Sequence, residues 1–191
     1  MLLNLPNIVT LVRILLIPLI VGVFYAPDAW LSYEQRNIVA TAIFILAAVT
    51  DWLDGYLART LNQTSAFGAF LDPVADKLVV VGALIVLLTL GRVDMVVGLI
   101  IIGREIAISA LREWMAQVGQ SRSVAVAMVG KVKTVGQMVA IPLLLYHDQL
   151  FGLLDTQWLG TILINIAAVL TVVSMLYYMR RASTGDRPDG Q

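Results

Sequence analysis

The chain has no cysteine, which removes disulfides, thiolate metal centres and cysteine nucleophiles together and leaves the redox compartment open. Its single histidine, His147, sits in "LLYHDQLF", read as an interfacial loop with no partner for acid–base work. Charge is scarce as well: 14% of the residues are charged, against about 25% in soluble domains. Thirteen basic residues cancel thirteen acidic ones, so there is no overall field to recruit nucleic acid or an acidic partner. What the chain has in abundance is apolar surface, with 59% hydrophobic residues in 191 and a mean hydropathy of +0.86. That is the composition of a membrane protein, in which any electrostatic function is local.

A bilayer crossing needs about 20 apolar residues. Six stretches qualify, at roughly 7–26, 36–59, 66–90, 95–118, 124–146 and 156–179. The connections between them are short and polar, with turn-forming Gly, Pro, Asn, Asp and Ser in most. We therefore expect an all-α integral membrane protein with six transmembrane helices, forming a single domain over 1–181. The tail 182–191, "ASTGDRPDGQ", reads as disordered. The first span lacks a basic segment before it and is too long for a secretory signal, so it reads as an uncleaved helix. Arg13, Arg59, Arg122, Arg180, Arg181 and Arg187 fall on the side of the two termini, and mainly Arg36 and Arg92 on the other. The positive-inside rule then puts both termini in the cytosol. Trp30, Trp52, Trp114, Trp158, Tyr177 and Tyr178 read as interface anchors, the methionines as core filling, and Pro6 as a helix start.

Within these apolar spans stand four aspartates, in "AAVTDWLDGYLARTLNQTSAFGAFLDPVADKLVVVG". On a helical wheel Asp51, Asp54, Gly55 and Ala58 lie within about 100° of one another, and Gly68, Asp72 and Asp76 step by about 40° each. The short loop between the two helices makes them antiparallel neighbours. Asp54 and Asp51 then lie roughly 8 and 12 Å in from one end, and Asp72 and Asp76 about 9 and 15 Å, so all four acids share one layer. Unpaired, they would cost on the order of 10 kcal/mol, and only Arg59 and Lys77 are near in sequence. Two hard divalent cations, Mg²⁺ or Mn²⁺, would neutralise them and suit phosphoryl chemistry. The competing reading is a structural ion-pair network. Gly55 and Gly68 leave room beside the acids for a substrate or a neighbouring helix.

The spacing D-x2-D-G-x2-A-R-x8-G-x3-D-x3-D, carried by Asp51, Asp54, Gly55, Ala58, Arg59, Gly68, Asp72 and Asp76, is similar without a gap to the signature of the CDP-alcohol phosphotransferase family. "LNLPNIVTLVRILLIPLIV", "FGAFLDPVADK", "GREIAISALREWMA" and "SVAVAMVGKVKTVGQMVA" resemble its bacterial phosphatidylglycerophosphate synthase branch. The resemblance covers nearly the whole chain except 27–35 and the tail. It implies six helices around a polar cavity open to the cytosol, a homodimer in the bacterial cytoplasmic membrane, and a defined reaction. CDP-diacylglycerol would give its phosphatidyl group to sn-glycerol 3-phosphate, leaving phosphatidylglycerol phosphate and CMP. By the same resemblance Asp51, Asp54, Asp72 and Asp76 hold the metals, and Asp76 is the general base. Asp54, Gly55, Ala58, Arg59 and Gly68 would surround the nucleotide.

An acceptor that carries its own phosphate calls for further cations, and Arg104, Arg112, Lys131 and Lys133 supply them. Glu105, Ser109 and Arg112 share one helix face, with Arg104 at its flank, and are candidates for a cavity wall. Lys131 and Lys133 point about 200° apart, so one faces the cavity while the other snorkels or pairs. Thr10 and Arg13, three residues apart, either line the cavity or sit at the interface. The rival readings are a sister enzyme with serine, inositol phosphate or phosphatidylglycerol as acceptor, a membrane cation transporter, and a non-catalytic lipid-binding scaffold.

Overall fold

The computed structural model describes residues 5–60, 66–117, 128–150 and 152–184, with side chains described at all of these except 5–6, 52, 54–60, 66, 69, 112, 114–117, 128–133 and 177–184. Six helices are present: α1 (Leu5–Val23), α2 (Tyr33–Thr60), α3 (Ala66–Thr89), α4 (Met95–Gln117), α5 (Met128–Tyr146) and α6 (Thr156–Thr184). They coincide to within a few residues with the six expected spans, of which 124–127 at the start of the fifth lie outside the described residues. Between α5 and α6, where the sequence reads as loop, two short strands pair antiparallel, β1 (Gln149–Leu150) and β2 (Leu154–Asp155). Gly152 turns the hairpin at φ +68°.

The helix ends follow local chemistry. Ser32 Oγ accepts from the Gln35 N–H and Gln35 Oε1 accepts from the Ser32 N–H. This reciprocal cap starts α2 three residues before the apolar run does. Asp94 Oδ1 accepts from Val96 N–H at the start of α4, and Asp155 Oδ1 accepts from Trp158 N–H at the start of α6; each satisfies an otherwise unpaired first-turn donor. At the end of α3, Gly91 takes φ +66°. The N–H groups of Gly91 and Arg92 then reach back to the carbonyls of Leu88 and Leu87, the paired closure that a left-handed glycine permits.

The core runs through all six helices, from Ile20, Phe44, Ala47, Leu84 and Leu87 to Ile101, Leu144 and Ile164. α5 and α6 form the most extensive helix pair, and α1 packs broadly against both α2 and α3. α2 and α3 touch each other only sparingly. They are sequence neighbours but not close packing partners, because α1 lies as a wedge against both. Small residues permit the closest approaches: a Cβ on Gly160 of α6 would sit 2.7 Å from Leu144 Cγ and 3.3 Å from the Ala140 carbonyl of α5. The Gly160→Ala variant should therefore unfold at lower temperature, by the equivalent of about 1–3 kcal/mol, measured by circular dichroism in detergent. An unchanged midpoint would show that the two helices can part without cost.

Two buried arginines mark the two ends of the bundle. At one end Arg92, in the α3–α4 turn, donates to the Leu144 and Leu145 carbonyls of α5 at 3.0 and 2.7 Å. It also donates to Tyr33 Oη and Asn37 Oδ1 of α2 at 2.8 and 2.6 Å, and its own carbonyl accepts from Gln157 of α6. The starts of α2, α4 and α6 thus meet the ends of α3 and α5, as an up-and-down bundle requires. At the other end lies Arg13.

Candidate active site

α1 is an almost wholly apolar helix interrupted by Asn7, Thr10 and Arg13, three residues apart and all buried. Successive steps of three turn the helix back by about 60°, so the three form one polar stripe. That stripe faces the wedge between α2 and α3. The Arg13 side chain is 1% exposed, and its Nη1 donates to Asp51 Oδ1 of α2 at 2.8 Å and to Asp76 Oδ1 of α3 at 2.5 Å. Thr10 Oγ1 donates to Asp72 Oδ1 at 2.8 Å. A single helix therefore gathers Asp51 of the D-x2-D half with Asp72 and Asp76 of the D-x3-D half.

The carboxylates are not sealed in. The side chains of Asp51 and Asp76 are 45% and 43% exposed, so Arg13 holds them from the buried side while their other faces stay open. Asp72 is half-buried and Gly68, one turn before it on α3, is buried. Asp54, Gly55, Ala58 and Arg59 continue α2, but their side chains lie outside the described residues. Among the described residues no three acidic or imidazole groups converge tightly enough to hold an ion by themselves. In kind, however, the donors fit a hard divalent cation: each carboxylate offers two oxygens with about four lone-pair sites.

Lys77, one of the two cations near the acids in sequence, donates through Nζ to Ser109 Oγ and so ties α3 to α4. Among the described residues the countercharge that meets the acids is Arg13, which pattern reading left undecided between cavity and interface; the Arg59 side chain lies outside the described residues. Asn7 was not anticipated; its signal was the three-residue repeat of polar side chains in an apolar helix, each costly unless satisfied. On α4 Arg104 pairs with Glu105 at 3.0 Å, and its side chain is 10% exposed. Its Nε is buried, as are those of Arg13, Arg36 and Arg92. Arg112, Lys131 and Lys133 lie on α4 and α5 with side chains outside the described residues.

Against known proteins, the chain matches the CDP-alcohol phosphatidyltransferase family over residues 3–173. Relatives named CDP-diacylglycerol–glycerol-3-phosphate 3-phosphatidyltransferase in Salmonella choleraesuis and Salmonella typhimurium are 46% identical over 97% of this chain and 98% of theirs. The protein of the same name in Escherichia coli is 46% identical over 94% of each chain.

Proposed function

This chain belongs to the CDP-alcohol phosphatidyltransferase family, and from that premise we propose that it transfers the phosphatidyl group of CDP-diacylglycerol to sn-glycerol 3-phosphate. The products are phosphatidylglycerol phosphate and CMP, and the role is in phospholipid biosynthesis. The observation that carries the reading is the meeting of Asp51 with Asp76 on one nitrogen of Arg13, which unites the two halves of the acidic signature.

The residues divide the work as follows. Asp51, Asp54, Asp72 and Asp76 would hold two divalent cations, which when bound offset the charge of the pyrophosphate. Asp76 takes the proton from the attacking glycerol hydroxyl, a poor nucleophile until deprotonated. Asp54, Gly55, Ala58, Arg59 and Gly68 bind the cytidine diphosphate, the glycines leaving the backbone open to a close approach. Arg104, Arg112 and one of Lys131 and Lys133 bind the acceptor phosphate through charge-assisted hydrogen bonds. Thr10 and Arg13 orient acids, and Ser109 and Glu105 continue the polar wall on α4.

The setting is a bilayer. The stretch Thr156–Leu176 is long and apolar enough to cross one by itself. Large apolar side chains such as Leu15, Leu19, Leu99, Val135, Val169 and Val173 face outward, as lipid-facing positions do. The other helices carry more polar residues, and α1 and α3 turn theirs toward the acids. We place all six helices across the bacterial cytoplasmic membrane with the acids opening to the cytosol and the protein acting as a homodimer. The orientation is supported by the fate of the opposite side's arginines: Arg36 pairs with Asp28 and Arg92 is buried, so little positive charge is displayed there.

The test is CMP release by purified protein in detergent, given CDP-diacylglycerol and radiolabelled acceptors with or without Mg²⁺ or Mn²⁺. Release with glycerol 3-phosphate and metal is expected; release with serine or inositol phosphate instead would move the protein to a sister activity. Flux of Mn²⁺ into liposomes without nucleotide would favour a transporter. The Arg112→Gln variant should raise the KM for glycerol 3-phosphate at least about tenfold, the worth of one charge-assisted contact. The KM for CDP-diacylglycerol should stay within twofold, and equal effects on both would remove Arg112 from the acceptor site.

A further inference from the structure

Arg13 is the largest fully buried side chain in the described core, and burying a guanidinium is costly unless its charge is met. Among the described residues it is met by two carboxylates at one atom. Asp51 Oδ1 and Asp76 Oδ1 both lie against Nη1, at 2.8 and 2.5 Å, so the two oxygens are close neighbours across a gap that α2 and α3 scarcely bridge themselves. Arg13 is 1% exposed while its two acids are nearly half-exposed. A substrate coming from the open side meets the carboxylates first and the guanidinium behind them. Thr10, one turn earlier on the same helix, fixes Asp72 in the same way.

We infer, on the metal-binding reading of these acids proposed above, that Arg13 is a positioning residue that clamps Asp51 and Asp76 together as a built-in countercharge and thereby sets how strongly the site draws divalent cations. With Arg13 present, the metal-free chain keeps its acids together without an ion. The same fixed positive charge lies behind the carboxylates when a cation approaches from the front, and opposes it. Arg13 therefore trades tight metal binding for a site that stays folded and assembled when empty. Its planar fork serves two carboxylates at once, and a lysine would retain the charge with looser geometry.

The discriminating readout is thermal unfolding by far-UV circular dichroism in detergent, in EDTA and across a Mn²⁺ titration, with no substrate and no turnover. In the Arg13→Gln variant the metal-free midpoint falls, and the Mn²⁺ concentration giving half of the full stabilisation falls by roughly tenfold or more, because a unit charge near the ion is gone. In Arg13→Lys that concentration stays within about threefold of the parent. A merely space-filling Arg13 would lower the midpoint equally with and without Mn²⁺ and leave the titration unmoved, which would overturn the proposal. Should Arg13→Gln yield no folded protein, the double variant with Asp51→Asn, which removes one of the facing charges, restores folding; failure to restore it also overturns the proposal. A parent chain that Mn²⁺ does not stabilise at any concentration would instead bring down the metal reading of the acids, and this role with it.

Discussion

The Asp76→Asn variant is expected to release CMP at least about a thousandfold more slowly than the parent while remaining folded. Loss of a general base costs roughly 10²–10⁴ in rate, and Asp76 is asked to serve both as base and as metal ligand. Asparagine matches the aspartate in shape and retains an oxygen that can accept from Arg13, so the contact at 2.5 Å can persist as a neutral hydrogen bond. The α1–α3 packing should therefore survive, and the unfolding midpoint in EDTA should shift by no more than a few degrees. What disappears is the negative charge and the capacity to take a proton. Asp51 is the internal comparison, because it meets the same nitrogen of Arg13 from the other helix and is equally exposed. Asp51→Asn should lose activity through metal affinity alone and regain much of it as Mn²⁺ is raised. Asp76→Asn should not regain it. If excess Mn²⁺ brings Asp76→Asn to within tenfold of the parent rate, Asp76 is a ligand only and the base lies elsewhere.

The contrast between these two acids shows what a sequence can and cannot disclose. That Asp51, Asp72 and Asp76 come together on one side of α1 was legible, because helix period and rise convert spacing directly into face and depth. That α2 and α3 flank α1 rather than each other was not: a short loop fixes the direction of two helices but not how far they splay. For the same reason Arg13 could not be assigned. Its partners lie 38 and 63 residues away, and no local pattern reports a contact across that separation. Lys77 was a plausible countercharge by proximity in sequence, yet one residue turns it about 100° from Asp76 and delivers it to Ser109. The early start of α2 was readable from the Ser32–Gln35 pair, whereas the hairpin at 149–155 was not, since two-residue strands carry no periodicity. Asp54, Gly55, Ala58, Arg59, Arg112, Lys131 and Lys133 remain expectations from spacing and resemblance, because their side chains lie outside the described residues.

Arg92 was counted from the sequence as a loop charge, and the structure turns it into the second large expected effect. Its acceptors include two carbonyls of the last turn of α5, groups that no helical partner can satisfy and that sit at the negative end of that helix's dipole. Tyr33 contributes both its hydroxyl and its ring, the guanidinium carbon lying 5.5 Å from the ring centroid. Truncation to alanine leaves these carbonyls and the Asn37 oxygen without their donor in a buried place. At about 1–3 kcal/mol for each unsatisfied group, with some re-satisfied by water, the loss is on the order of 4 kcal/mol. For a chain of this size that lowers the unfolding midpoint by at least about 8 °C. Arg92→Lys should fall between parent and alanine variants, because one ammonium has the charge but not the fork needed to serve α2 and α5 together. Since Arg92 sits at the end of the bundle opposite the acids, the fraction of Arg92→Ala that remains folded should turn over within about threefold of the parent. A large loss of turnover with an unchanged midpoint would be the opposite result, and would mean that the far end of the bundle communicates with the aspartates rather than merely holding α2, α5 and the α3–α4 turn in place.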